Sequence, residues 1–162
     1  MRLPDSGSLK EEHYTFWQGK GVEETREHGI GFVIRSTLLP IVEPSTDDTR
    51  RILTLHLSTS AAFSNLMCIF APALLATPKV KDQFYDQLDA TVSRIPTSEH
   101  VYLFRDFNTW VGADRESWPR VSCHYSIAKL NENGQRLLEL CCLRNLCVTN
   151  TYFQNKAHHK AS

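Results

Sequence analysis

Val101-Tyr102-Leu103-Phe104-Arg105-Asp106-Phe107-Asn108-Thr109-Trp110-Val111-Gly112 is the stretch that decides how this chain is read. An apolar, β-prone run ends in an acidic side chain and an amide spaced i, i+2. In a strand over 100–106 the pleat carries Asp106 and Asn108 to one face, at the point where the strand stops. A carboxylate and a carboxamide there can share one phosphate site. The carboxylate can hold a divalent ion or orient a water, and the amide can donate to a phosphoryl oxygen. Both residues are also favoured in turns, because their side chains bond the nearby backbone and tolerate left-handed geometry. Spacing alone favours the turn, so the neighbours must decide.

Upstream, Gly29-Ile30-Gly31-Phe32-Val33-Ile34-Arg35 reads as a strand, and Ile52-Leu53-Thr54-Leu55-His56-Leu57 alternates like a half-buried one, with His56 on its polar face. Residues 65–70, Asn-Leu-Met-Cys-Ile-Phe, form a continuous apolar run ended by Pro72, which suits a central strand covered on both faces. Thr77-Pro78 opens a helix with an N-cap residue and a proline in the first turn. Val80, Phe84, Leu88 and Val92 recur along it, widened by Tyr85 and Ile95, while Lys81, Asp82, Asp86 and Asp89 are expected to face away.

Downstream of the loop, Asn131 or Asn133 can cap a helix from about Gln135 to Leu146, and a final strand is expected from Cys147 to Phe153. The order strand, strand, strand, helix, strand, helix, strand makes this an α/β protein with mixed sheets. No internal repeat appears, and there is no Gly-x-x-x-x-Gly-Lys loop, G-x-G-x-x-G, H-E-x-x-H or G-x-S-x-G. His158-His159 reads as a solvated pair.

At 162 residues the chain suits one domain with a real core. Lys plus Arg and Asp plus Glu number 18 each, so no global basic field advertises nucleic acid. Residues 114–162 carry seven basic and four acidic side chains, which permits a phosphate partner without demanding one. No apolar run approaches a membrane span and the start lacks a secretory signal, so no membrane partner and an intracellular, nuclear or cytoplasmic setting are expected. Cys68, Cys123, Cys141, Cys142 and Cys147 show no CxxC spacing and read as buried free thiols.

The ordered blocks Phe70-Ala71-Pro72, Asp106-Phe107-Asn108-x-x-Val111-Gly112, Asn131-Glu132-Asn133-Gly134-Gln135-Arg136-Leu137-Leu138-Glu139-Leu140-Cys141 and Thr149-Asn150-Thr151-Tyr152-Phe153 together resemble the endonuclease/exonuclease/phosphatase superfamily. More narrowly they resemble the endonuclease domain of RTE-type LINE retrotransposons and its craniofacial development protein 2-like relatives. The resemblance covers essentially the whole chain. It implies a four-layer α/β/β/α sandwich that hydrolyses DNA phosphodiesters with Mg2+ or Mn2+. On that basis Asp106 would activate the water, with a possible indirect role toward the metal, and Asn108 would hold the phosphate. Asn150 lies in a matching substrate-binding block, and Phe70 stands where the family usually places a tyrosine.

The same resemblance implies an incomplete domain over 1–162. The family's metal-binding glutamate would precede Arg2-Leu3, Glu24-Thr25-Arg26 reads as a decoy, and the closing strands with their aspartate and histidine would follow Lys160-Ala161-Ser162. Arg105 replaces a glycine, and Ser126 and Ala128 occupy positions of a Gly-x-Gly segment. Two function classes therefore compete: a weakly active or inactive divalent-metal endonuclease, and a non-catalytic remnant that binds nucleic acid or protein. A truncated sandwich also leaves sheet edges open to self-association.

Overall fold

The structure is a computed structural model and describes residues 7–18, 30–45, 49, 51–104, 107–114, 116–122 and 129–153. The chain divides into two compact units, Met1–Phe70 with Ile95–Arg105, and Ala71–Arg94 with Asp106–Ser162. The first unit holds the strands and the second the α-helices. The class is the expected α/β one, with one antiparallel sheet, one mixed sheet and helices, compatible with a partial α/β sandwich.

In the first unit, β1 (Gly7–Lys10), β2 (Tyr14–Gln18) and β3 (Gly31–Arg35) form a three-stranded antiparallel sheet. The short strand β4 (Val42–Pro44) follows a 3-10 turn over Ser36–Ile41 and pairs with β5 (Ile52–Ser58). β5 and β6 (Phe63–Ile69) make a hairpin whose turn is closed by Thr59, its hydroxyl donating to the Ala62 carbonyl at 2.8 Å. β7 (His100–Phe104) then adds parallel to β6, giving the order β4-β5-β6-β7. Central β6 follows from its apolar run: Met67, Cys68 and Ile69 are buried. Ile30, Leu53 and Cys68 form a core cluster shared by the two sheets, with Phe32 and Phe70 packed on it.

β5 corrects the half-buried expectation. Ile52, Leu53, Thr54 and Leu55 are consecutive and all buried, because this end of the strand is covered on both faces despite its alternating composition. His56, on the expected polar face, is satisfied: its Nε2 lies 3.3 Å from Glu99, and its ring stacks on Phe63.

In the second unit, α1 (Pro78–Ser93) packs against α2 (Glu132–Arg144). Phe84, Tyr85, Leu88 and Val92 are buried as expected. Val80 and Lys81 exchange places relative to the sequence reading, Val80 being exposed and Lys81 buried. A long lysine stem buries as readily as valine when its ammonium finds a carboxylate, and here Glu132 supplies one at 2.7 Å. Thr77 takes the N-cap position with extended dihedrals, but its side chain makes no capping bond.

α2 starts at Glu132, earlier than expected, because the Asn131 side chain accepts from Gly134 N at 2.7 Å. It ends at Arg144, where Asn145 turns left-handed at φ 53°. The expected strand from Cys147 to Phe153 is absent. Val148 N donates to Val121 O at 2.7 Å, then Thr149–Thr151 winds into a 3-10 turn. The segment has strand composition, but among the described residues no strand ladder receives it. The thiols also depart from expectation: Cys68 and Cys141 are buried, Cys142 and Cys147 exposed, and these four are free. Cys142 and its neighbour Leu143 lie on the outer side of an amphipathic helix. Among the described residues no helix is long and apolar enough to cross a membrane.

Candidate functional site

Asn108 sits in the loop that follows β7, with φ 49°. Asparagine is one of the few side-chain-bearing residues that visit this left-handed region routinely. Its Nδ2 donates to the Ala71 carbonyl at 3.3 Å. Its own carbonyl accepts from Asn131 Nδ2 at 3.4 Å and from Asn133 Nδ2 at 3.3 Å. Asn133, 1% exposed, also donates to Pro72 O at 3.0 Å and reaches Phe107 O at 3.5 Å. The Tyr85 hydroxyl closes the arrangement by donating to Asn133 O at 3.0 Å.

The helix terminus and the loop are therefore stitched together by amides, which can donate and accept at once. Asn131 N donates to Trp110 O at 3.0 Å while Asn131 Oδ1 caps Gly134. Gly134 is needed for this approach: a Cβ there would lie 2.1 Å from Trp110 O and 2.8 Å from Trp110 C. Gly112, at φ 66°, turns the chain where a Cβ would meet Leu130 at 3.2 Å. Asn133 Oδ1 is buried and has no hydrogen-bond partner among the described residues.

Charge gathers beside this corner. Lys81 Nζ, on α1, binds Glu132 Oε2 at the start of α2, and that hydrogen bond holds the Glu132 carboxyl below the usual carboxylate range. Arg136 spans Asp82 and Glu132, and Arg144 grips both oxygens of Asp89, with Nη2 to Oδ2 at 2.6 Å. The hydrogen bond from Arg144 lowers the Asp89 pKa. Burial raises the Tyr85 hydroxyl and pushes the Cys141 thiol up to about 12, so neither is a ready nucleophile.

Of the residues singled out in the sequence, Asn108 is brought together with Asn131 and Asn133. Asp106 lies outside the described residues, as do Arg105, Ser126, Ala128, Glu24-Thr25-Arg26 and His158-His159. Asn150 is exposed in the turn Thr149–Thr151. Phe70 belongs to the first unit, where its ring packs on the Ile30–Leu53–Cys68 cluster. Arg51 Nη1 donates to the Phe70 carbonyl at 3.2 Å, and the guanidinium carbon lies 5.7 Å from the ring centroid.

Arg51, Lys81 and the tying role of Asn133 were not read from the sequence. The Asn-x-Asn-Gly spacing of 131–134 is the signal for Asn133, since two asparagines at a helix start leave one free of the cap. The described residues do not by themselves fit a divalent cation. No group of three or more His, Cys, Asp or Glu side chains among them could hold a metal. The two N–H groups of Asn133 Nδ2 are shared among the carbonyls of Pro72, Asn108 and, at 3.5 Å, Phe107.

No protein-family model matches the chain. It is similar to craniofacial development protein 2 of Bos taurus and of Tragulus javanicus, 22% identical to each over 144 residues. The match covers 89% of this chain and 24% of each relative, so the chain spans about a quarter of the length of the curated relatives it matches. The chain is thus similar, at a distance, to craniofacial development protein 2.

Proposed function

We propose that this chain is a nuclease-like relative of the endonuclease/exonuclease/phosphatase superfamily in which the phosphodiester-handling corner persists as structure while DNA hydrolysis is weak or lost. The observation that carries this reading is the loop after β7. Asn108 is held left-handed, its carbonyl is fixed by Asn131 and Asn133, and it follows directly on the segment that bears Asp106. Such a rigid corner suits a pair that must meet a phosphate in one geometry. The distant similarity to craniofacial development protein 2 supports the same ancestry.

Two features argue for low turnover. Phe70 has no hydroxyl to offer a phosphate, and its ring serves the core cluster. One N–H of the Asn108 amide is already engaged on Ala71 O. Mg2+ or Mn2+ enters this reading through Asp106, in an indirect role; among the described residues no group of three or more His, Cys, Asp or Glu side chains could hold it. Loss of single members of a catalytic constellation costs orders of magnitude in rate, since the groups act as a unit.

The test is nicking of supercoiled plasmid with Mg2+ or Mn2+, beside an Asp106→Ala control. The expected result is no nicking above that control. Clear nicking that depends on Asp106 would overturn the low-turnover reading and leave an active endonuclease.

A further inference from the structure

β7 is the outermost strand of the four-stranded sheet, and among the described residues no strand lies on its outer side. Its composition is unusual for such a place. His100-Val101-Tyr102-Leu103-Phe104 carries no Lys, Arg, Asp, Glu or Pro. Edge strands of soluble proteins are ordinarily blunted by those residues, by shortness or by bulges. The opposite edge of this sheet obeys the rule: β4 has three residues, includes Glu43 and ends in Pro44. The two edges are therefore not equivalent, and only one is defended.

The exposed residues of β7 also form a continuous surface. His100, Tyr102 and Phe104 alternate with the partly buried Val101 and Leu103. Tyr102 and Phe104 are each 47% exposed. Their rings stack at 6.3 Å with planes 19° apart, and His100 tilts against Tyr102 at the same distance. An open backbone edge and an aromatic ladder thus belong to one strand.

We propose that β7 is a self-recognition edge, pairing antiparallel with β7 of a second copy of this chain. The choice of occupant follows from the strand's own pattern. A two-fold axis through Tyr102 sets Tyr102 opposite Tyr102 and His100 opposite Phe104 on one face, with Val101 opposite Leu103 on the other. Every directly opposed pair is then aromatic–aromatic or aliphatic–aliphatic, the combinations that stabilise neighbouring strands. No like charges meet at any position, as they would if β4 paired with itself through Glu43. The pairing consumes the open edge on both copies, so assembly closes at the dimer. It is independent of the catalytic reading, and failure of one leaves the other standing.

The experiment is light scattering on the full chain eluting from a size-exclusion column, over a series from micromolar to near-millimolar concentration. A dimer that dissociates on dilution is expected. Tyr102→Lys and Tyr102→Glu each place like charges face to face across the axis and should raise the dissociation constant by about tenfold or more. Mixing the two variants sets lysine against glutamate and should restore the dimer. Because Tyr102 is half-exposed, neither variant buries a charge, and far-UV circular dichroism checks that both fold. Hydrogen exchange on the unmodified chain gives a second reading that needs no variant: peptides covering 100–104 should gain protection as concentration rises. A chain that stays monomeric throughout overturns the proposal and leaves the ladder to another occupant. Growth past the dimer, variants that associate as the parent does, or unchanged protection at 100–104 would each overturn it as well.

Discussion

Gly134→Ala is the substitution in which local propensity and tertiary packing point in opposite directions. Within a helix, alanine is favoured over glycine by about 1 kcal/mol. Position 134 lies in the first turn of α2, so propensity alone predicts a more stable protein. The new Cβ, however, would stand 2.1 Å from Trp110 O, where real Cβ contacts essentially never fall below 3.0 Å. The atom it meets is backbone, which cannot swing aside as a side chain can. The Trp110 carbonyl has to retreat by roughly the 0.9 Å difference, which stretches the 3.0 Å bond it accepts from Asn131 N. Overpacking of this kind costs about 1–3 kcal/mol. The weakened hydrogen bond adds about 1 kcal/mol. After the propensity gain, a net loss of about 1–3 kcal/mol remains, which for a chain of this length lowers the melting temperature by roughly 2–4 °C per kcal/mol. Thermal and urea unfolding of Gly134→Ala beside the parent protein measure it, with Asp86→Ala on the exposed side of α1 as a control free of any clash. A Gly134→Ala protein as stable as the parent, or more so, would refute the close approach of loop and helix described above.

Asn131→Ala removes the side-chain cap of Gly134 N and should cost about 1 kcal/mol in urea unfolding, while Asn131→Asp keeps an acceptor and recovers most of it. Lys81→Met replaces a buried ammonium by an apolar chain of similar length and should change stability by less than about 1 kcal/mol, because the carboxylate it leaves is half-exposed. Glu132→Gln strands the ammonium inside and should be the more damaging member of the pair, a ranking that thermal melts decide. The carboxyls of Asp89 and Glu132 titrate below their ordinary range because of their bonds to Arg144 and Lys81. Their stabilisation is therefore complete above the usual carboxylate range and disappears as pH falls through their lowered values. Melting temperature followed into acid should drop less steeply in the Asp89→Asn, Glu132→Gln double variant than in the parent.

Legibility followed the reach of the forces involved. β6 was readable because a dense apolar run needs only to be buried, β7 because its β-branched and aromatic residues suit a pleated strand even at an exposed edge, and α1 because apolar residues at a helical period can face one way. Lys81 was misplaced since period alone sends every lysine outward, whereas its burial depends on Glu132, which lies far along the chain. The strand expected over Cys147–Phe153 failed for a related reason. β-composition describes a segment fit to join a ladder, but a ladder must be there to receive it. At the asparagines the sequence offered two caps and the fold used both residues, Asn131 as the cap and Asn133 as the tie to the strand-end loop. The link from Asn108 to Ala71 spans segments whose meeting no local pattern encodes.

The interleaving of the two units has a consequence for how the protein is made. The chain passes from one unit to the other after Phe70, returns at Ile95, and leaves again after Arg105. During synthesis the β5–β6 hairpin emerges as a local structure, but its parallel neighbour β7 follows only after all of α1. The sheet must wait through that interval with one side of its central strand unsatisfied. Neither unit corresponds to a contiguous stretch of message, so no single truncation yields either one whole. A nascent chain from which β6 has emerged but β7 has not holds out a sheet whose middle strand is still an edge.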